Sequence, residues 1–112
     1  DYYRGERIGF CFDPGHAFFL GNVPVTYWFE VLKDFLVEVH LHDNHGKSDE
    51  HLPIGEGLID YKALFHLFKS LDNELVYTLE VHREEHVERA IKSFERYYRE
   101  GEEDIHRLQA GV

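Results

Sequence analysis

Three short apolar runs, each closed by a residue type that binds metals or moves protons, set the tightest limit on what this chain can fold into. Arg7-Ile-Gly-Phe-Cys-Phe12 runs into Asp13-Pro-Gly-His16, Phe35-Leu-Val-Glu-Val39 into His40, and Leu75-Val-Tyr-Thr-Leu79 into Glu80 and His82. Near-continuous apolarity over a few residues, ended by turn or charged residues, reads as a strand covered on both faces. Between the runs the apolar period changes to that of a helix. Val25, Trp28, Phe29 and Leu32 behind Pro24 predict a short amphipathic helix. Tyr61, Leu64, Phe65, Phe68 and Leu71 behind an Asp60 cap predict a second. Val87, Ala90, Ile91, Phe94 and Tyr98 predict a third, starting at Glu84 and stopping near Gly101. Residues 16–24 and 42–58 read as loops, and 102–112 as a polar tail that frays.

Strand, helix, strand, helix, strand, helix is the order of a parallel sheet with helical crossovers, its strands near 7–12, 35–41 and 75–80. Parallel strands in such arrays end on one face, where α/β sheets and barrels place their sites. Asp13, His40 and Glu80 are therefore expected to converge. One Asp, one His and one Glu form a mixed oxygen and nitrogen set suited to a divalent metal such as Mn, Zn, Mg or Co. Strand parity points Glu38 to the same side as His40. There its carboxylate is placed to accept the second imidazole N–H of His40.

The stretch from His40 to His51 adds weight, with four of the nine histidines beside Asp43, Asp49 and Glu50. Each residue also has an ordinary structural reading. Asp13 can open a turn before Pro-Gly, His16 can be a loop residue, and Glu80 can pair with a base. His42, His45 and Lys47 read as solvated loop positions, Asp49 and His51 as a surface loop. His82, Arg83 and His86 read as a loop and an exposed helix start, and His66 as structural. The joint pattern favours a site, because three separate strands deliver ligand-type groups to one face.

Composition removes several function classes. The net charge of −10, from 22 acids against 12 bases, argues against a general nucleic-acid surface. A single cysteine, Cys11, rules out an internal disulfide and fits a reducing, cytoplasmic setting. No apolar run approaches the roughly 18 residues of a membrane span. The first residue is Asp1 rather than Met, so the lack of a targeting segment says nothing about a longer parent.

Four strings in order carry a resemblance: F-D-P-G-H at 12–16, V-H-L-H-D-N at 39–44, D-E-H-L-P-I-G-E-G at 49–57 and T-L-E at 78–80. Together they cover nearly the whole chain, and it resembles the C-terminal part of the xylose isomerase-like TIM barrels. That superfamily holds sugar-phosphate isomerases and epimerases, and apurinic endonucleases of the endonuclease IV type. The resemblance implies an α/β fold that is a partial (β/α)8 barrel. Residues 1–112 would be its last three βα units, since eight strands need roughly 250 residues. It implies that Asp13, His40 and Glu80 bind the metal, with a further glutamate supplied by earlier strands. His16 would touch a substrate oxygen, and His16, Asp49 and His51 would form a second metal position in the endonuclease branch. Gly55-Glu56-Gly57 would shape the rim and the approach to the last helix.

The activity implied is a metal-dependent sugar or sugar-phosphate isomerase/epimerase acting on a small-molecule sugar. The cation would polarise a carbonyl while a carboxylate, with Glu80 the candidate, removes the neighbouring proton. The fragment alone is expected to be inactive. The alternative is metal-dependent cleavage at abasic DNA. The acidic balance opposes it, and so does Leu52 where that branch leads one to expect a second consecutive histidine. A third reading is a non-catalytic fragment that binds metal or a partner. Open strand edges would pair it with itself or with the remainder of a barrel.

Overall fold

The structure, a computed structural model, describes residues 8–109. Strands β1 (Phe10–Phe12), β2 (Leu36–Leu41) and β3 (Val76–Leu79) form one parallel sheet in the order β1-β2-β3. Their bounds sit inside the expected ones. Residue 7 lies outside the described residues, and Phe35 belongs to a 3-10 turn at Lys33–Phe35 that feeds β2. Glu80 falls just past β3, yet its N–H still bonds the Leu41 carbonyl at 3.0 Å.

Register sorts the side chains into two faces. Phe12 pairs with Val39 and Val39 with Tyr77, and Leu41 pairs with Leu79. These residues join one apolar cluster with Phe29 of α2 (Val25–Leu32), with Leu64, Phe65 and Phe68 of α3 (Tyr61–Lys69), and with Phe94, Tyr97 and Tyr98 of α4 (Val87–Gln109). Phe65 lies at its centre, its ring 5.5–5.9 Å from those of Phe68, Tyr77, Phe94 and Tyr97. The opposite face presents Cys11 paired with Glu38, and His40 paired with Thr78. Strands in sequence order with their helices on one side make a sector of a barrel, since a doubly wound sheet reverses its strand order. Among the described residues no further strand lies beside β1 or β3, the two edges of the sector. Phe10, Tyr27, Trp28, Val31, Val76, Val87 and Ile91 are exposed apolar side chains.

Two expectations about helices fail. Residues 16–24 are not all loop, because α1 spans Pro14–Leu20. Asp13 caps it by accepting the His16 backbone N–H at 3.0 Å, and Pro14 takes the first turn, where its missing N–H costs nothing. The last helix does not stop near Gly101, and residues to Gln109 of the expected polar tail are helical. Residues 110–112 of that tail lie outside the described residues. Glycine inside a helix costs only about 1 kcal/mol relative to alanine. Here its bare Cα lets α4 approach α3: a Cβ would lie 3.0 Å from Lys69 Cγ and 3.2 Å from the Phe65 carbonyl oxygen. Lys69 secures the extension by pairing with Glu102 at 3.1 Å and lying 3.7 Å above the Tyr98 ring centroid. Among the described residues no helix is long and apolar enough to cross a membrane.

Candidate active site

The polar face of the sheet ends in a compact set of donors. Asp13 leaves β1 as the α1 cap, His40 lies within β2, and Glu80 follows β3. One ligand-type atom from each lies within 4.8 Å of the other two. His40 is held from both sides. Its Nε2–H donates to Glu38 Oε2 at 2.6 Å, and that oxygen also accepts the Thr78 hydroxyl at 3.0 Å. Its Nδ1 faces Glu80 Oε1 in close contact. With the proton on Nε2, the Nδ1 lone pair points toward Glu80.

The local fields act on each group. Burial pulls the His40 imidazole down, but Glu38 and Glu80 outweigh it and leave it above its usual value. Burial pushes the Asp13 carboxyl up, yet the His42 hydrogen bond and the His16 backbone N–H hold it below the usual range. The His40 hydrogen bond, helped by Thr78, lowers Glu38. Cys11 sits beside Glu38 and His40, and burial, followed by the charges of Glu38, Asp13 and Glu80, raises its thiol. Among the described residues no lysine or arginine forms an ion pair with Asp13, Glu38 or Glu80. Converging carboxylates and an imidazole without a basic side chain fit a divalent cation.

A second cluster adjoins the first. His16, His42, Asp49 and His51 also bring donor atoms within 4.8 Å of one another. Asp49 binds His16 Nε2 at 2.9 Å and faces His51 Nε2 at 3.1 Å. Burial pulls His16 down and pushes Asp49 up, but their mutual hydrogen bond reverses both, leaving the imidazole high and the carboxyl low. His51 Nδ1 donates to the Glu80 carbonyl at 3.2 Å. Its backbone φ of +53° lies in the left-handed region, a cost of about 1–3 kcal/mol that the packing must hold. The ring is clamped between His42 at 3.9 Å and His82 at 3.7 Å, both stacked.

His42 corrects the sequence reading. Expected in solvent, it is fully buried, with Nε2 2.7 Å from Asp13 Oδ1. His51 is likewise buried rather than a surface residue, whereas His45 and Lys47 are exposed as expected.

Asp43, counted in the sequence only among the donor-type residues of the 40–51 run, organises the loop above the site. Its fully buried carboxylate accepts four backbone N–H groups: Asn44 and Ile59 at Oδ1, Gly55 and Gly57 at Oδ2, at 2.9–3.2 Å. Its own backbone pairs with Leu52 through bonds of 2.8 and 2.9 Å. Gly57 must be glycine for this approach, since a Cβ there would lie 2.4 Å from Asp43 Oδ1 and from the Asn44 carbonyl oxygen. Glu56, between the two glycines, takes two hydrogen bonds from Arg89 of α4 at 2.9 and 3.0 Å. The Gly55-Glu56-Gly57 rim is thus tied to the last helix.

Comparison with known proteins places this geometry. Residues 4–100 match the family model for the xylose isomerase-like TIM barrel. The chain belongs to that family. The Uncharacterized protein MJ1311 of Methanocaldococcus jannaschii is 36% identical over 93 residues, which is 80% of this chain and 30% of that protein. The Uncharacterized protein y4fM of Sinorhizobium fredii is 34% identical over 64 residues, 55% of this chain and 20% of that protein. The crystal structure of a D-tagatose 3-epimerase-like protein superposes with a TM-score of 0.76 at 29% identity, covering 89% of this chain and 40% of that one. The chain therefore spans less than a third of the length of these two curated relatives. The sheet of this xylose isomerase-like chain is the α/β barrel sector that its motifs implied.

Two predictions follow from the rim. Asp43→Ala leaves four N–H groups without their anion. Because hydrogen bonds to charged groups are worth about 1.5–3 kcal/mol each, the substitution should cost at least about 3 kcal/mol in urea unfolding and open residues 46–58 to protease. A loss near zero would mean that water replaces the carboxylate. The Arg89 hydrogen bonds hold the Glu56 carboxyl below its usual value near 4.5. A depressed carboxyl stabilises the fold above its usual pKa, and that gain disappears as pH falls through the lowered value. Both partners are substantially exposed, so Glu56→Gln should cost no more than about 1 kcal/mol at neutral pH. The difference from the parent protein should vanish in acid unfolding measurements, and a difference that persists at low pH would contradict the pairing.

Proposed function

We propose that this chain is the C-terminal portion of a metal-dependent sugar or sugar-phosphate isomerase/epimerase. The observation that carries this reading is the meeting of Asp13, His40 and Glu80 at three neighbouring strand ends, with Glu38 behind the imidazole. The D-tagatose 3-epimerase-like neighbour supports the substrate class. Asp13, His40 and Glu80 would hold the cation, Mn, Zn, Mg or Co. Once bound, it would grip adjacent substrate oxygens and polarise a carbonyl.

The chain's own groups have separate tasks. Glu38 fixes the His40 tautomer, so that Nδ1 keeps a free lone pair. Glu80 removes the proton next to the carbonyl, as a carboxylate within reach of that carbon can. His16, 40% exposed in its side chain, would meet a substrate oxygen by exchanging it for one of its two carboxylate partners, Asp13 and Asp49. The second acid/base group and a further glutamate ligand belong to barrel strands that precede these three. One cysteine and the lack of a membrane-crossing helix among the described residues suit a cytoplasmic enzyme. The open flanks make the remainder of the barrel, or a second copy, the natural partner of an isolated chain.

The second cluster supports one competing reading. His16, Asp49 and His51 have the composition of another metal position, as cleavage of abasic DNA would require. The two readings separate in one experiment on the full-length protein loaded with manganese. Ketoses and ketose phosphates incubated in heavy water should take up deuterium at the carbon next to the carbonyl. Glu80→Gln should abolish uptake, and Glu38→Gln should lower manganese affinity about 10–100-fold. Manganese affinity should also rise with pH until His40 has lost its proton. Absence of exchange with every sugar, together with incision of abasic DNA, would replace the isomerase reading with the endonuclease one.

A further inference from the structure

The buried imidazole of His42 is the strongest feature that the proposed reaction does not use. It lies at 0% exposure against the candidate ligand Asp13. Its Nε2 sits 2.7 Å from Asp13 Oδ1, and an ionised carboxylate is only an acceptor, so Nε2 carries the proton. Its Nδ1 is buried with no hydrogen-bond partner. The ring therefore has one polar contact, and that contact is Asp13.

The surroundings leave the ring no other pose. His51 stacks on it with 4° between the planes, and His16 meets it edge-on at 4.9 Å. Gly15 closes another side: a Cβ there would lie 2.2 Å from His42 Cε1 and 2.5 Å from Nδ1. The two turns are also joined next to the contact, because Asn44 Nδ2 donates to the Gly15 carbonyl at 3.0 Å. Behind the ring, the buried Tyr61 hydroxyl bonds the His42 carbonyl at 2.6 Å. On the carboxylate side, Oδ1 already accepts the His16 backbone N–H. Oδ1 is thus committed twice within the protein, and Oδ2 is paired with His16 Nδ1 at 2.9 Å, a half-exposed partner that can move.

We infer that His42 is a positioning residue: its Nε2–H, together with the α1 cap bond, pins Asp13 Oδ1 and so fixes the orientation of the carboxylate that a cation would meet. Gly15 belongs to the same device, since only a residue without a side chain leaves room for the ring. The inference rests on the proposed metal reading, and it goes beyond that reading by assigning a role to a residue outside the Asp13, His40 and Glu80 set. It also explains why a histidine occupies a dry position where a leucine would cost less polar burial.

The test uses full-length protein and manganese alone, titrated against a competing chelator. His42→Met keeps the bulk and loses the donor. His42→Gln places an amide nitrogen near the Nε2 position and keeps it. His42→Met should weaken manganese binding about 10–100-fold, the range for loss of an outer partner, and His42→Gln should restore most of it. Gly15→Ala should weaken binding as well, although alanine favours the α1 helix. Wild-type affinity in His42→Met would overturn the inference. So would equal losses in the methionine and glutamine variants with unchanged melting, because the ring would then be mere filling. A second readout needs neither variant nor metal. Long-range proton–nitrogen spectra should show His42 as the Nε2–H tautomer, and an Nδ1–H tautomer would overturn the inference. If the wild-type protein takes up no manganese, the metal reading falls, and the tautomer still decides whether His42 donates to Asp13.

Discussion

Parallel pairing of β1, β2 and β3 forces the chain to leave all three strands on the same side of the sheet. Everything chemical in the molecule follows from that constraint. Asp13, His40 and Glu80 are 27 and 40 residues apart in sequence, yet register brings their donor atoms within 4.8 Å. The same register separates the apolar stack of Phe12, Val39 and Tyr77 from the polar row of Cys11, Glu38 and His40. One face is stabilised by aromatic burial against α2, α3 and α4. The other is left to hold charge.

Holding charge there takes a layered arrangement. The donors nearest the centre are oriented by a ring of partners that do not themselves meet at the centre: Glu38 behind His40, His42 behind Asp13, the Glu80 carbonyl behind His51. A third layer, the Asp43 carboxylate among four backbone N–H groups, fixes the rim that carries Asp49 and His51 into place. Buried polar groups are costly when partly satisfied and rigid when fully satisfied. Most of this network is of the second kind, which suits a site whose ligands must not drift.

The legibility of these parts in the sequence differed for physical reasons. Strand parity is a strict period of two, so the sequence alone places Glu38 beside His40. Strand ends in a parallel array are equally constrained, which is why the convergence of Asp13, His40 and Glu80 is legible in the sequence. His42 and Asp43 follow β2 in a polar run, and parity no longer applies past a strand end. Their burial depends on Gly15, Tyr61 and the backbone of residues 44–59, contacts that no local pattern encodes. The first helix was missed although Asp13-Pro14 is a start signal, because Gly15 and Gly21 made the segment read as loop. Gly101 misled in the opposite sense. A glycine that ends many helices here serves a close α3–α4 approach.

The central claim is that Asp13, His40 and Glu80 share one cation. Crystals of the full-length protein grown with manganese give the most direct measurement, an anomalous-difference map at the metal edge. The account predicts a peak bonded to carboxylate oxygens of Asp13 and Glu80 and to Nδ1 of His40. A map with no peak among these three residues, or with manganese bound only elsewhere, would contradict it.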